Sequence, residues 1–213
     1  MRPAVTERNF MSTTTYIIKK ISSREDLVSC PLFEVAQFNW GGYYRPHTYG
    51  QFAFLDGEGF LLHMTCEESN PVCHYHHNFE PVWMDSAMEG FFCFDCQNDN
   101  YINLEINSAG ALVASFGSGK TGRINLTETD IRTLDFRAVK NTDTWCIDVF
   151  IPLSLIETYF HISSYQSGDC IPLNFFKLAE GTESTHFASF APIDSPEPNF
   201  HLSQFFAQGI IED

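Results

Sequence analysis

The sequence predicts an all-β protein, an antiparallel β-sandwich of jelly-roll or immunoglobulin-like build with one or two short helices. Aromatic residues make up 15% of the chain and 21 of its residues are Phe, side chains that favour pleated, half-buried surfaces. Short apolar runs recur with turn residues between them, the rhythm of a sandwich rather than of a helical bundle. The strand–helix alternation of a doubly wound sheet is absent. With 213 residues, 44% of them hydrophobic and 18% charged, the chain has the apolar area for a single domain's core.

Residues 1–15 are polar and are expected to form a flexible tail, leaving 16–213 as one domain. Ser22 to Val28 predicts a short helix, with a Ser cap and acids in its first turn. Gln51 to Leu55 stops at Asp56-Gly57-Glu58-Gly59 and restarts as Phe60 to Cys66, a hairpin pattern. Met88 to Asp95, Tyr101 to Asn107 and Ala111 to Phe116 follow, separated by Asn98-Asp99-Asn100 and Ser108-Ala109-Gly110. Leu134 to Lys140 and Trp145 to Ile151 pair across Asn141-Thr142-Asp143. Pro152 then opens a second short helix, Leu153 to Phe160. Ile171 to Leu178 and His186 to Phe190 complete the strands. Trp145 alternates with Ile147 and Val149 and is assigned to the core.

Twelve basic residues against 27 acidic ones give a net charge of −15. No basic stripe exists for a phosphate backbone or an anionic membrane, so nucleic acid and membrane are excluded as partners. A neutral ligand such as a sugar, or a cation, suits this field. No signal peptide or transmembrane run is visible, and the seven cysteines are irregularly spaced. A reducing cytoplasm is therefore expected. Nothing in the sequence sets an oligomeric state.

Several motifs tempt and fall short. Gly117-Ser118-Gly119-Lys120-Thr121 resembles the end of a phosphate loop, but Ala114 stands five before Gly119 and the following residues are turn-like. A Gly/Ser/Lys hairpin loop is the better reading. Cys93 and Cys96 have zinc-like spacing inside a predicted strand, where alternation would send them to opposite faces. His74 and His76 would share a face if extended and could meet a metal with Glu67 or Glu68, although a polar loop is the better reading. Glu67, Glu68, Asp85, Glu89 and Glu105 are candidates by type for the carboxylate pair of a glycosidase. Neither a Gly-x-Ser-x-Gly elbow nor a catalytic Cys context is present.

The run Pro81-Val82-Trp83-Met84-Asp85-Ser86-Ala87-Met88-Glu89 is the most informative in the chain. It resembles the segment of family 9 carbohydrate-binding modules in which a Trp precedes an Asp-Ser pair and a Glu opens a core strand. Leu61 to Glu68, Tyr101 to Gly110, Trp145 to Leu153 and Leu173 to Lys177 are similar to further strands of that family in the same order. So is the closing stretch from Pro192 to Phe205, and the resemblance runs from about Gly50 to Phe206.

The resemblance implies a free-standing, non-catalytic module that grips a mono- or oligosaccharide between aromatic planes. Sugar rings offer a C–H face to an aromatic ring, and their hydroxyls need directional partners. By motif position the clamp is Trp83 and Phe200, the latter where sugar-binding members carry Trp. Glu89 and Asn107 fall at ligand-contacting positions, Glu105 where some members carry a basic residue, and Lys177, His186 and His201 are further contacts. Catalytic residues are not implied. The family also often carries a structural calcium ion; no Asp-x-Asp-x-Asp-Gly loop is present, so scattered acids and carbonyls would have to hold it. A glycoside hydrolase acting through Glu89 and a second acid, and an intracellular interaction module without a sugar site, are the alternatives.

Overall fold

The computed structural model describes residues 11–213. Residues 1–10 of the expected tail lie outside the described residues. Residues 11–14 run beside the far end of the chain, where the Met11 N–H donates to Gln204 O and the Gln208 N–H to Thr14 O, both at 2.9 Å.

The first strands are β1 (Thr15–Ile21), β2 (Leu32–Glu34), β3 (Gln37–Gly41), β4 (His47–Leu55) and β5 (Gly59–Glu67). Next come β6 (Ala87–Phe92), β7 (Tyr101–Asn107), β8 (Leu112–Gly117), β9 (Ile124–Asn125), β10 (Asp135–Lys140) and β11 (Trp145–Pro152). The chain closes with β12 (Cys170–Ala179), β13 (His186–Ser189) and β14 (Ala207–Glu212). Helices α1 (Glu128–Thr133) and α2 (Leu153–Phe160) are short, and 3-10 turns cover Arg24–Ser29, Val82–Met84 and Ser203–Phe205. The expected helix near residue 24 is thus a 3-10 helix, its start held by the Ser23 N–H donating to the Asp26 carboxylate at 3.0 Å.

Hydrogen-bonded neighbours run β10-β11-β5-β4-β1-β14-β12-β6-β7-β8-β9, with β2 beside β4, β13 beside β12 and β3 beside β13. This ladder curls so that its halves face each other. Phe52 of β4 stacks on Phe92 of β6 with centroids 4.7 Å apart, and Phe33 of β2 on Phe175 of β12 at 3.7 Å. Leu62, Val149, Leu104 and Ala114 join the same buried cluster from both halves. Burying such side chains is worth about 1.5–3 kcal/mol each. Core packing therefore holds the two layers together.

Every strand expected from the alternation is present, while β1, β2, β3, β9 and β14 were not anticipated. The expected antiparallel rule fails at β1, which lies parallel to both β14 and β4. β14 is remote in sequence from β1 and β4 is reached through β2 and β3, so no tight hairpin dictates its direction. The expected strand through Asp95 ends at Phe92. Cys93 and Cys96 consequently sit in the turn that follows.

Candidate ligand-binding cleft

Period-2 alternation divides the side chains of the β12-β6-β7-β8 layer between two faces. Phe175, Gly90, Leu104 and Ala114 lie in consecutive register and turn to the core. One residue along, Phe176, Glu89, Glu105 and Val113 form the matching row on the opposite face. A second aromatic cluster, with Phe91, Tyr101, Phe176, Phe187 and Phe200, packs on that outer face beneath the segment leading to β14.

An open cleft of about 530 Å³ lies there, within the size range of small-ligand sites. Of the residues expected at the site, Trp83, Glu89, Glu105, Phe200 and His201 line it. Lys120, Glu180, Glu197 and Asn199 complete its polar lining, with Leu178, Phe187 and Pro198 as apolar wall. The Trp83 indole remains 37% exposed. Its turn is tied to the exit of β12, where the Glu180 N–H donates to Trp83 O at 3.1 Å and the Gly181 N–H to Met84 O at 3.0 Å. A Cβ on Gly181 would come within 2.9 Å of the Met84 backbone oxygen, so this close approach requires glycine. Phe200 is buried and stacks on Phe176 with centroids 4.1 Å apart and an interplanar angle of 14°. The segment before it is anchored by Asn39 Nδ2 donating to Ile193 O at 2.7 Å and Trp40 Nε1 to Ser195 O at 2.9 Å.

Glu89 and Glu105 face each other across one rung of β6 and β7. Glu89 is only 2% exposed, and its Oε2 has no hydrogen-bond partner. Burial, followed by repulsion from Glu105 and Glu180, holds its pKa well above the usual carboxylate range. Glu105 Oε1 accepts from Asn103 Nδ2 at 2.7 Å. Burial raises its pKa to about 7 against the opposing pull of Asn103 and Arg123. Arg123 stacks over the Tyr101 ring at 4.0 Å and donates to the carbonyls of Tyr101, Ser115 and Gly117. His201 Nδ1 lies 2.7 Å from the Tyr101 hydroxyl. Its pKa is pushed down to about 4 by burial and by the charges of Arg123 and Lys120. At neutral pH the imidazole is uncharged.

Asn107, Lys177 and His186 do not line the cleft. Asn107 is buried, with its amide donating to Tyr75 O at 2.8 Å and Asp85 Oδ2 at 3.0 Å, while its oxygen accepts from the Ala111 N–H at 3.0 Å. Lys177 shares the core parity of Phe175 and is fully buried. Its ammonium pairs with Glu68 at 3.3 Å and donates to His186 Nε2 at 2.9 Å. His186 is held neutral, its pKa pushed down to about 4 by burial and by Lys177. Its Nδ1 donates to Ser184 O at 2.7 Å, which assigns the tautomer. The three polar residues form structural networks behind or beside the cleft.

The Cys73 to His77 run is held through its backbone. Asp85 accepts from the N–H groups of His74 and Tyr75, and Glu80 from those of His76 and His77, all at 2.9 Å. Among the described residues no group of three or more His, Cys, Asp or Glu side chains could hold a metal ion. The side chains do not fit a carboxylate-built calcium site, and the His74–His76 metal reading has no third ligand. The loop at Gly117 to Gly122 is the expected hairpin, joining β8 to β9 with Gly119 and Gly122 at positive φ. Its tip brings Lys120 to the cleft.

The family model for carbohydrate-binding family 9 matches residues 24–211. Among solved structures, the fold is shared with a Bacteroides uniformis protein described as a candidate carbohydrate-binding protein. The two are 23% identical with a TM-score of 0.80, over 93% of this chain and 99% of that one. Two structures of a family 9 carbohydrate-binding module from Caldicellulosiruptor kristjanssonii, one with cellotriose and one with glucose, align at a TM-score of 0.62 and 8% identity. They cover 93% of this chain and 93% and 95% of theirs. No curated protein matches the chain in sequence.

Proposed function

The chain belongs to carbohydrate-binding family 9, and on that premise we propose that the cleft beside Trp83 holds a mono- or oligosaccharide without acting on it chemically. One observation carries the assignment: a half-exposed indole and the edge of a buried aromatic stack line the same cleft as a buried carboxyl oxygen lacking a partner. Trp83 packs on the C–H face of a sugar ring, and Phe200, backed by Phe176, closes the apolar side. Glu89, Glu105, Asn199 and His201 meet the hydroxyls. Phe200 supplies no N–H donor, so orientation of the sugar falls to these polar groups.

Glycoside hydrolysis is the second reading, because burial and the neighbouring Glu105 raise the Glu89 pKa, the direction a general acid requires. Against it, neighbouring strands set Glu89 and Glu105 side by side on one wall. A hydrolase needs its carboxyls on either side of the scissile bond.

Residues 16–213 are taken as one domain, supported by the pairing of β1 with β14 from the opposite end of the chain. The free thiols of Cys30, Cys66, Cys73, Cys146 and Cys170 support a reducing, cytoplasmic setting. No described helix is long and apolar enough to cross a membrane. Calorimetry with glucose and cellotriose tests the assignment: heat of binding lost in Trp83→Ala supports it. Release of reducing sugar that stops in Glu89→Gln would instead establish the hydrolase.

A further inference from the structure

We propose that the cleft prefers a sugar bearing a free, protonated amino group, a hexosamine or a chain end built from one, with its ammonium bridging Glu89 and Glu105. The inference rests on the carbohydrate reading of the same cleft and narrows its ligand class. Four carboxyl groups, Glu89, Glu105, Glu180 and Glu197, line the cleft against the single cationic side chain of Lys120. Acidity alone is no site. The independent observation is Glu89, 98% buried by its 2% exposure, with one oxygen that no donor reaches.

Two other cations near this layer are engaged elsewhere. Lys177 lies on the opposite face of the layer, bound to Glu68 and His186. The Arg123 guanidinium is occupied by the carbonyls of Tyr101, Ser115 and Gly117 and by the Asn103 side chain. Among the described residues no ion pair reaches Glu89 or Glu105.

A sugar hydroxyl could donate to the open oxygen, but it leaves two adjacent carboxyls repelling each other. An ammonium group brings three donors and a compensating charge, and charge-assisted hydrogen bonds are roughly twice as strong as neutral ones. Burial and repulsion from Glu105 raise the Glu89 pKa, and burial raises that of Glu105, which agrees with a site lacking its counter-charge. The same field disfavours uronic acids and sugar phosphates.

The test is calorimetry of the full chain at neutral pH and low salt with D-glucosamine, D-glucose, N-acetylglucosamine and glucuronate. Glucosamine is expected to bind about tenfold more tightly than glucose, the acetylated sugar to show no such advantage, and glucuronate to bind most weakly. In Glu105→Gln the glucosamine-to-glucose affinity ratio should fall to within about twofold of unity. Glu180→Gln, on the exposed rim where folding is not at stake, should lower that ratio by a smaller factor. Equal affinity for glucosamine and glucose overturns the amino-sugar preference and leaves carbohydrate binding standing. A preference that survives in Glu105→Gln overturns the assignment to this pair. No heat with any sugar overturns the carbohydrate reading itself.

Discussion

Glu68 and Glu89 are both withdrawn from water, 6% and 2% exposed, and one stands behind the β12-β6 layer while the other stands in front of it. Glu68 has a full set of partners: Lys177 at 3.3 Å, Trp145 Nε1 at 3.0 Å and the Ser86 hydroxyl at 3.0 Å. Burial raises its pKa, and those partners together bring it below the usual value. Glu89 has a second carboxyl across its rung and an oxygen without a donor. Burial acts on both; only the neighbours differ. A buried acid whose hydrogen bonds are met by the fold does structural work, whereas one left open beside a cleft has acceptor capacity that the fold does not use.

The comparison can be broken most sharply from the paired side. Lys177→Met should cost about 3–5 kcal/mol, because it leaves Glu68 charged and unpaired in the core. Urea unfolding reads this directly, and a loss near zero would mean that Glu68 is not held by Lys177. Second in size is Glu105→Gln, where the expected change is a gain. The folded protein raises this group from its ordinary value of 4.5 to about 7, so it keeps a proton that the unfolded chain releases between those values. Wild-type stability from this group is present below pH 4.5 and is lost as pH rises through 7. The variant should match wild type near pH 4 and exceed it by about 3 kcal/mol near pH 8. Equal stability at both pH values would show that the cleft acids are not destabilised as a pair.

Smaller effects sharpen the contrast between fold and site. Trp83→Ala should weaken sugar binding at least about tenfold while shifting the melting temperature by only about 2–4 °C. A large melting shift would make Trp83 a structural plug instead. The smallest effect belongs to a half-buried acid: Asp148, on the outer face of β11, is paired with His63 at 2.7 Å and with the exposed Arg137 at 2.9 Å. Arg137→Ala should cost under about 1 kcal/mol in thermal unfolding, since solvent screens that pair. The three measurements on Glu68, Glu105 and Asp148 rank the carboxylates by environment rather than by residue type.

Much of the lining of the cleft was legible from the residues around Trp83 and Phe200, and the misses are instructive. Lys177 was expected among ligand contacts, yet the alternation that puts Trp145 in the core also puts Lys177 beside Phe175 on the core face. The signal was present in the strand. Phe176 and Leu178 carry the opposite parity and face the outer cluster. Asn107 has the cleft-side parity of Glu105 but is covered because the Cys73 to His77 loop folds over it. No periodicity reveals a loop lying across a strand end. Lys120, Glu197 and Asn199 were missed for the same reason, as they reach the cleft from loops.

Alternation, turn residues and aromatic content determined by themselves that this chain makes a β-sandwich, because side-chain direction along a strand depends only on parity. The order of family-like segments likewise pointed to Trp83, Glu89 and Phe200. Only the tertiary structure decided which buried acids have partners, since Glu68 meets Lys177 from a distant part of the chain and the β6–β7 register sets Glu105 opposite Glu89. It also decided that β1 closes the ladder in parallel between β4 and β14. Electrostatic environment depends on what lies within a few ångströms in space, and chain order does not encode that distance.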